Sequence, residues 1–476
     1  MVARATIIAA VANTRTPPDH AYLATALHAP VRGQAEVLRD TLIEVGGDGM
    51  IRSVRSARSP GVDTAIRRFA SAGALTTLGE GEYLLPGFVD LHVHAPQWPQ
   101  LGLALELPLE EWLQTYTFPL EARFADLGYA AAVYTSLVDG LLANGTTTAV
   151  YYATIHLPAT QKLADICLQK SQRALIGRVA MDDPIQCPAY YRDVSAASAE
   201  AETRAFIAYV RSMPGNEAAL VSPVITPRFI PSCSDELLHR LGELARETGC
   251  RVQTHCSESD WEHRYVLDRC GISDTAALER FGLLSRRTIL AHGNFVGDED
   301  IELIAKHGAG IAHCPLSNVY FSDAVLPLRH ILRRGVHVGL GSDIAGGGSP
   351  SILENARYAV MSSRMLESGV DSVQNRQLRR REDSRIDALT AFWMATAGGG
   401  IALELPVGVF REGFQFDAMR IDAGVPNSNL RLTRGDTPEQ ALQKIIYLAG
   451  RSNIREVWVA NRRVHTQQAT PLGARA

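Results

Sequence analysis

Eight short apolar runs, rich in β-branched residues, recur between Phe88 and Asp343, and each is followed by a stretch of helical periodicity. The runs are FVDLHVHAP (88–96), TTTAVYYATI (146–155), ALIGRVAMD (174–182), ALVSPVITPRF (219–229), RVQTHCSE (251–258), RTILAHG (287–293), GAGIAHCP (308–315) and VHVGLGSD (336–343). Between them lie patterns such as DELLHRLGELARETG and DEDIELIAKHG, apolar at the spacing of one helix face. Strands that alternate with helices form βαβ units on a parallel sheet. Eight such units predict a closed (β/α)8 TIM-like barrel. A chain of 476 residues has room for that barrel and an appended domain.

The chain ends have a different character. MVARATIIAAVANTRTPP opens with a short apolar run that lacks signal-peptide flanks and reads as a first β-strand. TLIEVGGDGMIRSV (41–54) places two apolar runs around a Gly-Asp-Gly turn, which predicts a hairpin. The Arg-, Ser- and Ala-rich segment from Ser53 to Gly79 is expected to be partly an exposed loop. Beyond the helical RIDALTAFWMATAGGG (385–400), FQFDAMRID (414–422) and REVWVANRRVHTQ (455–467) return to β character. Both ends are therefore expected to pair into one small β-sandwich domain. The division predicted is 1–85 and 401–476 for that domain and 86–400 for the barrel.

Several functions are disfavoured by composition. Net charge is -4 and no basic block occurs, so neither nucleic acid nor a membrane surface is an expected partner. No apolar stretch reaches the length of a membrane span. The seven cysteines are odd in number and form no CxxC pair, which fits reduced thiols in a cytoplasmic protein. GxxxxGK[ST], GxGxxG and GxSxG are all absent.

In a barrel of this kind, chemistry sits at the C-terminal ends of the strands. His92 and His94, two apart on one strand, point to the same face. His255, His292 and Asp343 end the fifth, sixth and eighth runs. Together they bring N and O donors from four strand ends to one mouth, a set that suits a single Zn2+ or Fe2+ with a position left for water. Glu258 lies three residues past His255 and suits general acid/base work on that water. Arg228 and Phe229, after the fourth run, offer a fork for a ring carbonyl and a face for a flat ring. Gln97 offers a donor and an acceptor to a heterocycle edge, and Trp98 beside it reads either as a substrate contact or as packing. His313 and Cys314 read as structural, His156 as ambiguous. The glycines at 346–348 allow backbone to approach the site. The four lysines, Lys162, Lys170, Lys306 and Lys444, all lie away from the fourth run.

These motifs resemble the amidohydrolase superfamily, through PGFVDLHVH, the sixth-strand AHG, AHCPLSN and GLGSD. Within its deaminase branch they are most similar to the guanine deaminases, through HAPQW, LPLEEWLQTYTFPLEARF, NGTTTAVYYATIH, TPRF and HCSE. The resemblance implies metal ligation by His92, His94, His255 and Asp343. It implies either a ligand or a water-bonding role for His292, and a proton shuttle at Glu258. Purine contacts are implied at Gln97, Arg228 and Phe229, with zinc as the metal, one per subunit, and a homodimer. Binuclear relatives bridge two metals with a lysine near the end of strand four; its absence here favours one metal and deamination. The expected reaction is hydrolysis of guanine to xanthine and ammonia. A related aminoheterocycle (8-oxoguanine, a pterin or a triazine) is the alternative substrate, and a non-catalytic binding relative the alternative function.

Overall fold

The computed structural model describes residues 19–467. The N-terminal strand expected in the first eighteen residues lies outside them. Eight parallel strands form the predicted barrel, in the order in which they occur along the chain. They are Phe88–His94, Thr146–Tyr152, Arg173–Gly177, Val221–Pro227, Arg251–Cys256, Thr288–His292, Gly310–His313 and His337–Leu340. A short extension, Val179–Ala180, pairs with the fourth strand. Nearly all of their residues are buried, as expected of strands that face a packed interior on one side and helices on the other.

The first and eighth strands are joined by backbone. Asp343 N donates to His92 O (2.8 Å) and His94 N to Ile344 O (2.9 Å). Asp90, fully buried in the first strand, adds a side-chain clasp: its Oδ1 accepts from His92 N (3.2 Å) and Ser342 N (2.9 Å). Burial pushes its carboxyl up to about 7, partly offset by the hydrogen bonds from Ser342. Gly341 makes this closure sterically possible, because a Cβ there would stand 2.8 Å from both His92 Cβ and Cys314 Sγ. The intervening helices carry local start and stop signals. Asp235–Thr248, for example, is capped by Ser234, whose side chain accepts from Leu237 N, and ends at the left-handed Gly249.

A second sheet is built from both chain ends. Its order is Arg462–Thr466, Ile454–Val459, Ala418–Asp422, Glu82–Pro86, His20–Val31, Gln34–Val45, Ile51–Ser56, with Leu75–Thr77 against His20–Val31. The predicted hairpin is its Gln34–Val45 and Ile51–Ser56 pair. The join between N- and C-terminal halves is the antiparallel pair Glu82–Pro86 and Ala418–Asp422. The segment from Ser53 to Gly79 is loop only in part, as at the turn 57–61. Ser53–Gly79 holds the helix Val62–Ser71, whose Val62 and Phe69 pack against Ala21 and Leu42. Its apolar stripe is thin, and the adjacent Arg67 and Arg68 disguise it.

Candidate metal centre and substrate pocket

Six of the polar residues singled out in the sequence converge at the C-terminal mouth of the barrel. The ligating atoms of His92, His94 and Asp343 lie within 4.8 Å of one another, as do those of His92, His255 and His292, and those of Glu258, His292 and Asp343. Asp343 Oδ1 is 3.0 Å from His92 Nε2 and 3.4 Å from His94 Nε2. His94 Nε2 and His255 Nε2 are 3.0 Å apart. His292 Nε2 is 3.6 Å from Glu258 Oε1 and 4.0 Å from Asp343 Oδ2.

The tautomers follow from the outer partners. His255 Nδ1 faces the Arg228 carbonyl at 2.6 Å, and His292 Nδ1 faces Asn318 Oδ1 at 2.9 Å. An oxygen of this type only accepts, so both Nδ1 atoms carry hydrogen and both Nε2 lone pairs turn inward. His92 Nε2 and His292 Nε2 are buried without a hydrogen-bond partner. Burial first, then the neighbouring positive charges, pushes His92, His94 and His255 well below the usual histidine range, so their rings are neutral. Burial also lowers His292. Several neutral imidazoles and one carboxylate, aimed at a common centre and held by acceptors behind them, fit a single borderline divalent cation.

Three residues here hold left-handed backbone although none is glycine: Ser257 (φ 50°), His292 (φ 71°) and Asp343 (φ 48°). Such strain persists only where surrounding contacts hold it. The loop after the fifth strand has those contacts. Glu258 N donates to Glu262 Oε2 (2.7 Å), Asn294 Nδ2 donates to Glu258 O (2.8 Å), and Ser322 Oγ donates to the same carbonyl (2.5 Å). The Glu258 carboxyl is thereby presented to the cluster. Burial, with the charge of Asp343 second, raises it well above the ordinary carboxylate range.

A pocket opens on these groups. His94, His255, Glu258 and Asp343 form its floor, Gln97, Arg228 and Phe229 one side, and Leu109, Trp112, Leu113 and Phe321 its apolar wall. Gly346 also lines it, where a Cβ would stand 2.9 Å from Asp343 Oδ2. Phe229 lies edge-on to His255, ring centres 6.1 Å apart.

Trp98 does not line the pocket. Its indole N–H donates to Ser136 Oγ (3.1 Å) and its ring packs on Gly140, in the helix Leu127–Ala143. The six-residue 3-10 turn Ala95–Gln100 explains this: one residue of rotation, roughly 120°, separates Trp98 from Gln97. His156 opens the helix Leu157–Gln169 and takes no part in the pocket. His313 and Cys314 are buried and do not line the pocket.

Three groups of residues escaped the sequence reading. Trp112, Leu109 and Leu113 form the wall. Asn318 holds the His292 ring. Glu121, fully buried, holds Arg228 and Gln97. A signal for Glu121 existed: it lies three residues from both Phe118 and Phe124, on the apolar face of its helical segment.

The sequence profile of the amidohydrolase family matches residues 83–464. The chain belongs to the amidohydrolase family. Among relatives of this amidohydrolase, the guanine deaminase of Dictyostelium discoideum is 36% identical over 455 residues, covering 92% of this chain and 97% of that protein. The guanine deaminase of Homo sapiens is 36% identical over 456 residues, covering 94% and 97%. The crystal structure of guanine deaminase from C. acetobutylicum, with bound guanine in its active site, superposes with a TM-score of 0.83 at 30% identity. It covers 94% of this amidohydrolase and 100% of that chain.

Proposed function

We propose that this amidohydrolase converts guanine and water into xanthine and ammonia. One observation carries the reading: a single pocket joins a hydrogen-bonding edge, Gln97 and Arg228, to a proton-transfer group and a metal-type cluster. Guanine deaminases that match nearly end to end support it.

His92, His94, His255 and Asp343 would hold the ion, zinc with one per subunit in this proposal and Fe2+ as the alternative. A bound ion supplies Lewis acidity that makes water a nucleophile at neutral pH. The protein does the rest. Arg228 and Gln97 hold the carbonyl side of the purine, and Phe229 packs beside the ring. Glu258, with its carboxyl poised by burial, takes one proton from the attacking water and passes it to the ring nitrogen beside the amine-bearing carbon. The water oxygen bonds to that carbon. Asp343 accepts the second proton and returns it to the amine, the C–N bond breaks, and ammonia leaves. His292, 3.6 Å from Glu258, orients the water.

The proposal includes a cytoplasmic setting and a homodimer. Among the described residues, no helix is long and apolar enough to cross a membrane. Light scattering on the purified protein checks the dimer: twice the 51.7 kDa chain mass supports it, and the single chain mass overturns it. The function is tested by ammonia release from guanine, 8-oxoguanine, adenine, cytosine and a pterin. Guanine is expected to give the highest kcat/KM. A higher value for any other member transfers the assignment to that substrate.

A further inference from the structure

We propose that Glu121 is a positioning residue for substrate specificity: it fixes Arg228 and Gln97 so that both present hydrogen-bond donors to the oxo edge of the purine. The inference rests on the guanine reading above.

One carboxylate serves two pocket residues. Glu121 Oε2 accepts from Arg228 Nη1 (2.6 Å), while Oε1 accepts from Arg228 Nη2 (3.2 Å) and Gln97 Nε2 (2.9 Å). Arg228 is thus gripped by both oxygens, the planar fork geometry that fixes a guanidinium in orientation as well as place. The Gln97 amide is fixed at both ends, because its Oε1 also accepts from Ala345 N (3.1 Å). Turning that amide over would set oxygen against a carboxylate and N–H against N–H. Gln97 and Arg228 line the pocket; Glu121 does not. It is fully buried behind them, in the helix Phe118–Ala122, whose Phe118 ring lies 5.0 Å from the Arg228 guanidinium carbon.

The remaining hydrogens set the recognition rule. Arginine has five N–H donors and no acceptor, and Glu121 engages only two of its nitrogens. Gln97 has one amide hydrogen left, and its oxygen already receives Ala345 N–H. This edge welcomes a carbonyl oxygen and repels an amine in the same place. A 6-oxopurine satisfies it, whereas a 6-aminopurine opposes N–H to N–H. Sites built around such a group reject the wrong partner by roughly four orders of magnitude. Without Glu121, the amide of Gln97 is free to turn and the fork of Arg228 to swing, so rejection weakens along with affinity.

The test is a double-mutant cycle on the metal-loaded enzyme, with guanine and 2,6-diaminopurine as substrates. Glu121→Gln is expected to lower kcat/KM for guanine about 50-fold, mostly through KM, and to narrow the guanine preference at least about tenfold. Glu121→Asp should restore part of the preference. In an Arg228→Gln background, adding Glu121→Gln should change guanine kcat/KM less than about threefold, since Glu121 acts chiefly through Arg228. Glu121→Asp keeps a carboxylate beside Arg228, so its ratio of guanine to 2,6-diaminopurine kcat/KM still tests the role if Glu121→Gln folds poorly: an unchanged ratio overturns it. Equal losses for both substrates, a fall in kcat alone, or full additivity in the cycle overturns the role. Failure of the wild type on guanine instead overturns the reading beneath it.

Discussion

In the flanking sheet, several polar groups near the core are matched to partners. Tyr22, stacked on Phe416 with ring centres 4.2 Å apart, donates its hydroxyl to Asn461 Oδ1 (2.9 Å). Arg420 spans Glu82 (3.0 Å from its Nε) and Glu456 (2.9 Å). At the barrel mouth, buried imidazole nitrogens face one another and a carboxylate, and three residues other than glycine hold left-handed backbone. Unmatched buried polar groups and strained backbone both oppose folding. The sheet is arranged for stability. The mouth concentrates groups whose arrangement answers a ligand, and the helices and sheets around it hold that arrangement in place.

Substitutions in the two regions should therefore separate activity from stability. The largest effect is expected at the mouth. Glu258→Gln should lower kcat by about a thousandfold or more, leaving bound metal by elemental analysis and the unfolding midpoint near wild type. Turnover within tenfold of wild type would remove Glu258 from proton transfer. In the sheet, Phe416→Ala, which empties a fully buried site between Tyr22 and Trp458, should destabilise by about 3–5 kcal/mol in urea unfolding. Its kcat per folded molecule should stay within about twofold of wild type. A comparable fall in kcat would show that the two regions are not separable.

A smaller effect, in pH, probes the same sheet. His28 is buried, accepts from Phe410 N at Nδ1 (3.1 Å) and stands 3.3 Å from Glu36. Burial lowers it to about 4, against the opposing pull of Glu36. Its folded value lies below the free value, so its contribution is complete above pH 6.5 and is lost as pH falls towards 4. The loss is on the order of 3 kcal/mol. His28→Gln should flatten the acid limb of the unfolding free energy between those pH values. An unchanged slope would place the acid sensitivity elsewhere.

The barrel was legible because its signal is local. Each strand is a contiguous apolar run, and strand ends are where such a fold collects chemistry, so His92, His94, His255, Glu258, His292 and Asp343 could be named together. What stayed hidden depends on distant contacts. Glu121 meets Arg228 across 107 positions and Asn318 meets His292 across 26; no period in the sequence encodes either pairing. Trp98 stayed open between contact and packing because adjacency to Gln97 means little in a 3-10 turn. The helix Val62–Ser71 was missed because only Val62 and Phe69 of its ten residues are buried, too few to make a clear apolar period.

The comparison comes down to whether the mouth performs the reaction its geometry suits. The most direct measurement is incubation of the purified, metal-loaded protein with guanine, following xanthine and ammonia together. The account predicts the two products in equal amounts, formed faster than from any other aminoheterocycle tried. No xanthine from guanine, with ammonia released from another ring, would contradict it.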